Sequence, residues 1–129
     1  MLYLLLAFIV AVAPPDIQSA EITENGNAYF KFSKLSDSQW RGTHSSGKQF
    51  IYTVKGNTVR QDDQKPEDVI ERVGLDKVKS ISDLKDITEI DKGSVVWKLA
   101  KEDDGLTFSM VPKEIGSTKS TTYSIAWSQ

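Results

Sequence analysis

The run from residue 2 to residue 13 decides how much of this chain is left to fold, because it is twelve apolar residues without a charge. As an α-helix it would be about 18 Å long, well short of the ~30 Å hydrocarbon thickness of a bilayer. Pro14, Pro15 and Asp16 then stop the helix, since proline lacks a donor N–H and clashes with the preceding turn. A membrane span fails on length, whereas the apolar region of a secretory signal fits. Residues 1–20 are therefore expected to be a signal peptide and residues 21–129 a single domain, secreted or periplasmic. No stable membrane span would remain after cleavage.

The cleavage pattern departs from the ideal in two ways. Ala11-Val12-Ala13 has the small-x-small form, but Pro14 follows it directly; a cut after Ala20 leaves the larger Gln18 at the third position back. No Lys or Arg precedes the apolar run either. The competing readings are an uncleaved anchor and an apolar first helix of the domain.

Removing twenty residues from 129 leaves 109, enough for one core. The formal net charge is −2, which argues against a nucleic-acid binder, since such proteins need a basic surface to neutralise phosphates. Residues 62–91 carry an acidic excess and residues 21–61 a basic one, a mild imbalance that suits solvated faces. There is no cysteine, so disulfides, thiol nucleophiles and Cys-ligated metals are excluded and packing must supply the stability.

Period-two alternation marks most of the remaining chain. After the Asn25-Gly26 turn signal, Ala28, Phe30 and Phe32 share one face. Residues 36–48 read as a polar loop with room for a short strand around Trp40. Phe50, Tyr52 and Val54 alternate next, and Gly56-Asn57 suits a II′ hairpin turn that opposes Val54 with Val59. Pro66, Glu67 and Asp68 resemble a helix start, with Val69, Ile70 and Val73 as its apolar stripe and Gly74 as its stop. Apolar residues then recur every third position, at Leu75, Val78, Ile81, Leu84, Ile87 and Ile90. One straight helix cannot bury them all, so a second short helix from Ser80 is expected. Val95, Trp97 and Leu99 return to strand alternation and oppose Met110 and Phe108 across a turn at residues 102–105. Pro112 closes that strand, and Tyr123, Ile125 and Trp127 form one more.

The expected fold is α+β: a five- or six-stranded antiparallel sheet with a helical segment inserted between strands three and four. The alternative is a small β-barrel with a helical lid.

His44 is the single histidine, so two-histidine metal sites are excluded within one chain. Ser45 and Ser46 adjoin it, yet no strained nucleophile turn is present, and a Thr-His-Ser-Ser run is a solvated loop before it is a catalytic one. The acidic cluster Glu102-Asp103-Asp104-Gly105 lacks calcium-loop spacing and is explained by turn chemistry. Trp40 and Arg41 remain, residue types that dominate binding hot spots, in a long loop. Against that stands Trp40 as a core aromatic with Arg41 on the surface. Trp40, Arg41 and His44 are thus the candidate binding residues, with no cofactor and no catalytic group. The function expected is an exported, non-catalytic binding or interaction module, an inhibitor included, with a protein partner. The alternatives are a carrier for a small apolar ligand and, behind it, a small secreted hydrolase.

Overall fold

The computed structural model describes residues 2–73, 87–91, 93–113 and 120–129. Ten strands form one antiparallel sheet. They are β1 (Ser19–Glu24), β2 (Asn27–Ser36), β3 (Gln39–His44), β4 (Gln49–Lys55), β5 (Thr58–Gln61), β6 (Glu67–Asp68), β7 (Ile87–Asp91), β8 (Val95–Glu102), β9 (Gly105–Pro112) and β10 (Thr121–Ser128). The spatial order is β6-β5-β4-β3-β2-β1-β10-β9-β8-β7, two meanders joined where β1 pairs with β10. Among the described residues there are also two short helices, α1 (Leu2–Val12) and α2 (Val69–Val73).

This overturns the α+β expectation of five or six strands with an intervening helical segment, and the lidded-barrel alternative with it. Strands were missed for separate reasons. β1 lies partly inside the stretch assigned to a signal. In β3 the alternating face is Trp40, Gly42 and His44, so a glycine and a histidine hide the apolar period. β7 contains Ile87 and Ile90, which had continued the period of three. The earlier members of that series, Gly74 and the helix expected from Ser80 lie outside the described residues. Pro66 does not open a helix. β6 intervenes, and α2 starts after Asp68, whose Oδ1 accepts the Glu71 backbone N–H at 3.0 Å as an N-cap does.

The hairpin readings fare better. Val54 pairs with Val59, and Gly56 has φ 61°, the left-handed first position of a II′ turn. Leu99 pairs with Phe108, Trp97 with Met110, and Tyr123 with Phe108 from the other side. At the β1–β2 turn both Asn25 and Gly26 have positive φ, and Asn25 is also tied to β10 by hydrogen bonds with Thr122 in both directions. One residue of β2 departs from strict alternation. The β1–β2 register shifts so that Ile22 faces Phe30 and Thr23 faces Ala28, leaving Tyr29 as an extra residue. Such a bulge re-aims side chains. Ala28 is therefore exposed, not part of the Phe30–Phe32 face, and the Tyr29 ring packs against buried Tyr123 with centroids 5.4 Å apart.

One face of the sheet is buried almost throughout: Ile22, Phe32, Tyr52, Val59, Leu99 and Phe108 are each within 1% of full burial. Nine inter-strand spacings make a flat ten-stranded sheet about 43 Å wide, whereas an eleven-residue helix is about 16 Å long. A twisted sheet of ten strands curls rather than staying flat, which makes the apolar side the concave one, and α1 lies on it against β4, β5 and α2. Leu5, Leu6, Phe8, Ile9, Val10 and Val12 are all buried, as expected of a helix that is apolar all round. In the full chain, the run expected to be a signal is interior packing.

Candidate functional site

The register of β2 to β5 places an aromatic surface at one end of the concave side. Phe30 and His44 are direct partners across β2 and β3, as are Gly42 and Phe50 across β3 and β4, and Tyr52 and Gln61 across β4 and β5. A cavity of about 360 Å³ opens there. Its apolar walls are Tyr29, Phe30, Phe50 and Leu6 of α1, and its polar lining is His44, Ser46, Lys48, Gln61 and the Tyr52 ring edge. Gly42 is what allows the rings to meet. A Cβ at that position would clash with the Phe30 ring edge, 2.7 Å from its Cζ, and lie 2.9 Å from Tyr52 Cε2. A second cavity, of about 370 Å³, lies along β1, β2 and the end of β3; it shares Tyr29, Phe30 and His44 with the first and is otherwise lined by residues such as Thr23, Lys31, Thr43 and Ser45.

Among the described residues the lining of the first cavity contains no carboxylate. Lys48 Nζ stands 5.2 Å from the centre of the Phe50 ring and makes no ion pair among the described residues. A cation held over a ring, beside apolar walls and hydroxyl and amide groups, suits a ligand with an apolar body and an anionic or hydrogen-bonding end. Tyr52 donates its hydroxyl to Gln61 Oε1 at 3.2 Å, which orients that amide.

His44 is fixed locally. The Ser46 backbone N–H donates to Nδ1 at 3.0 Å, and Ser46 Oγ lies 2.9 Å from the same nitrogen. With Nδ1 accepting, a neutral ring carries its proton on Nε2. The ring also stands edge-on to Tyr29, with centroids 5.2 Å apart. The serine–histidine contact is part of the β3–β4 turn, and among the described residues no carboxylate orients the imidazole as a nucleophile–base pair requires.

On the far side of Tyr29 the concave rim holds an acid. Tyr123 donates its hydroxyl to Glu24 Oε2 at 2.6 Å. Burial pushes the Tyr123 phenol well above its ordinary pKa, with the hydrogen bond and charge of Glu24 adding to it. Tyr29 is raised too, chiefly by burial and then by Glu24. Both hydroxyls thus stay neutral donors across the working pH range.

Of the three residues singled out from sequence, His44 borders the cavity. Trp40 and Arg41 point to opposite faces of β3. Trp40 is buried against Phe32 with Lys34 Nζ 5.8 Å above its ring, while Arg41 is exposed on the convex side. Their stretch is strand rather than loop. Tyr29, Lys48, Phe50 and Gln61 were not singled out. The available signal was the apolar alternation of residues 50–54 with Lys48 just before it, but the cross-strand neighbours that complete the site are not readable from spacing.

Compared with known proteins, the chain matches no protein-family model, no curated protein and no solved structure.

Proposed function

We propose that the protein is an exported, non-catalytic carrier for a small apolar ligand with a polar end, bound at the concave end of β2–β5. The observation that carries this reading is the cavity itself: about 360 Å³ of aromatic and aliphatic wall with a cation and a few polar groups at its edge. Ligand sites have this composition, and antiparallel sheets curled on themselves enclose such sites between their strands. Export is proposed from the uncharged apolar run followed by Pro14-Pro15; removal of that run would take the Leu6 wall and leave Tyr29, Phe30 and Phe50 as the apolar walls of the cavity. The reading as a carrier is preferred to a protein-docking surface because Trp40 and Arg41, on which docking was argued, do not share a face.

The test is titration of the full chain with octanoate and with anilinonaphthalene sulfonate, each an apolar body with an anionic end. Saturable one-to-one binding, competitive between the two and weakened about tenfold by Phe50→Ala, is expected. Binding that neither saturates nor responds to Phe50→Ala would remove the reading.

A further inference from the structure

The first cavity is bordered by a group whose charge changes under ordinary conditions. His44 is the chain's single histidine, and it lines both cavities. Imidazole is the side chain that gains or loses its proton between about pH 5 and pH 8. The β3–β4 turn accommodates either form. In the neutral ring Nδ1 accepts the Ser46 backbone N–H at 3.0 Å. In the protonated ring Nδ1 becomes a donor, and Ser46 Oγ, 2.9 Å away, is placed to accept from it. Ser46 is exposed, so its backbone N–H then passes to water. Two further bonds of the turn need no side chain: the His44 N–H donates to Lys48 O at 2.8 Å, and the Gly47 N–H donates to His44 O at 2.9 Å. Protonation therefore adds a charge without dismantling the turn.

From this we infer that His44 and Lys48 form an anion-holding pair, so that the site takes an amphipathic anion more tightly in mild acid than at neutral pH. The inference rests on the carrier reading and adds the sign of the ligand's charge and a second residue that reads it. A space of about 360 Å³ is about 9 Å across, within the Debye length of about 10 Å at 0.1 M salt, so one anionic end feels both cations. Two cations at one cavity repel each other, and an anion between them offsets that repulsion. Ligand binding and protonation thus favour each other. The surrounding groups leave this sign in place. Tyr29 of β2 meets the ring edge-on and stays a neutral phenol, and Tyr52 of β4 donates its hydroxyl to Gln61. Glu21 of β1 and Lys31 of β2, on the second cavity, pair with each other at 3.8 Å. Glu24 of β1, beyond Tyr29, is held by the Tyr123 hydroxyl.

The experiment titrates the full chain with octanesulfonate at about pH 5 and about pH 8, at one ionic strength. A sulfonate stays ionised over that range, so a change in affinity belongs to the protein. Binding about fivefold tighter at the lower pH is expected, with octanol unchanged. His44→Asn should abolish the gain and keep the turn, because an Asn side chain accepts the backbone N–H two residues on. Lys48→Gln should weaken octanesulfonate at both pH values and keep the gain. Should His44→Asn fail to fold, the ring signal of the single histidine decides by NMR: saturating octanesulfonate should move its titration to higher pH, and an unmoved titration overturns the inference. Equal octanesulfonate affinity at the two pH values, a gain that survives His44→Asn, or an equal gain for octanol would overturn it too. If Phe50→Ala still weakens binding in those cases, the carrier reading stands. Failure of octanesulfonate to bind at either pH would sink the carrier reading and this inference together.

Discussion

The two wings of the sheet bury similar residues in different ways. In β8–β10 the buried residues are one another's cross-strand partners: Leu99 meets Phe108, Phe108 meets Tyr123, and Leu106 meets Ile125, all at 3% exposure or less. In β2–β5 the strands bring Phe30, Phe32, Trp40 and Tyr52 together, but a glycine lies among them, a cavity stays open, and α1 supplies much of the filling. The first arrangement spends its side chains on neighbours in the sheet, the one that stabilises most per residue. The second leaves apolar surface that a separate apolar body must cover, so one wing is held by its own strand pairs and the other carries the proposed ligand site.

The strongest test of that division is Phe108→Ala. Removing a phenylalanine that is only 1% exposed costs about 3–5 kcal/mol, and urea unfolding should show a loss of that size. The folded fraction should still bind octanoate, because Phe108 does not border the cavity. Gly42→Ala attacks the other wing. The new methyl group must displace the Phe30 ring, costing about 1–3 kcal/mol by overpacking. Unlike Phe108→Ala, it should lower octanoate affinity as well as the melting temperature. Equal ligand effects from the two variants would erase the distinction between the wings.

The stabilising wing was also the more legible one. Pairing of Trp97 with Met110 and of Leu99 with Phe108 follows from alternation and one acidic turn, because these strands are contiguous and apolar on one face. The binding wing hides its period. At β3 the inward positions are Trp40, Gly42 and His44, and no scale of apolarity reads a strand from that triplet. At β2 the bulge at Tyr29 moves a side chain to the face opposite to the one simple counting assigns. His44 was noticed because it is unique, but its neighbours Tyr29, Lys48 and Phe50 come from three strands or turns, and their convergence depends on register. The place of α1 was left open by the sequence, which admitted an export signal, an uncleaved anchor and an apolar first helix, because a short apolar run suits each of them.

A smaller effect is expected at the seam between the wings, where Tyr123 holds Glu24. Tyr123→Phe removes a hydrogen bond to a charged acceptor and should cost about 1–2 kcal/mol. Its pH dependence has a definite sign. The folded phenol has a raised pKa, so the native state keeps a proton that the unfolded chain gives up above pH ~10. The stabilisation is complete below that pH and declines as pH rises above it. Denaturant midpoints measured between pH 8 and pH 11 should therefore fall for the native sequence and fall less for Tyr123→Phe. Parallel curves would mean that the hydroxyl does not couple the seam to Glu24.

The smallest effect on stability is expected at Lys48, and it is the most telling about the binding wing. Its ammonium lies over the Phe50 ring at an exposed turn, a contact that contributes little to folding in water. Lys48→Gln should leave the urea midpoint within about 0.5 kcal/mol of the parent, as exposed substitutions do. The affinity for octanoate should fall about fivefold while that for a neutral alcohol of the same length stays unchanged, because only the carboxylate loses its partner. Isothermal titration of both ligands against both proteins makes that comparison. If acid and alcohol weaken together, Lys48 shapes the pocket through Phe50 and does not read charge; the anionic end must then be sought elsewhere along the rim.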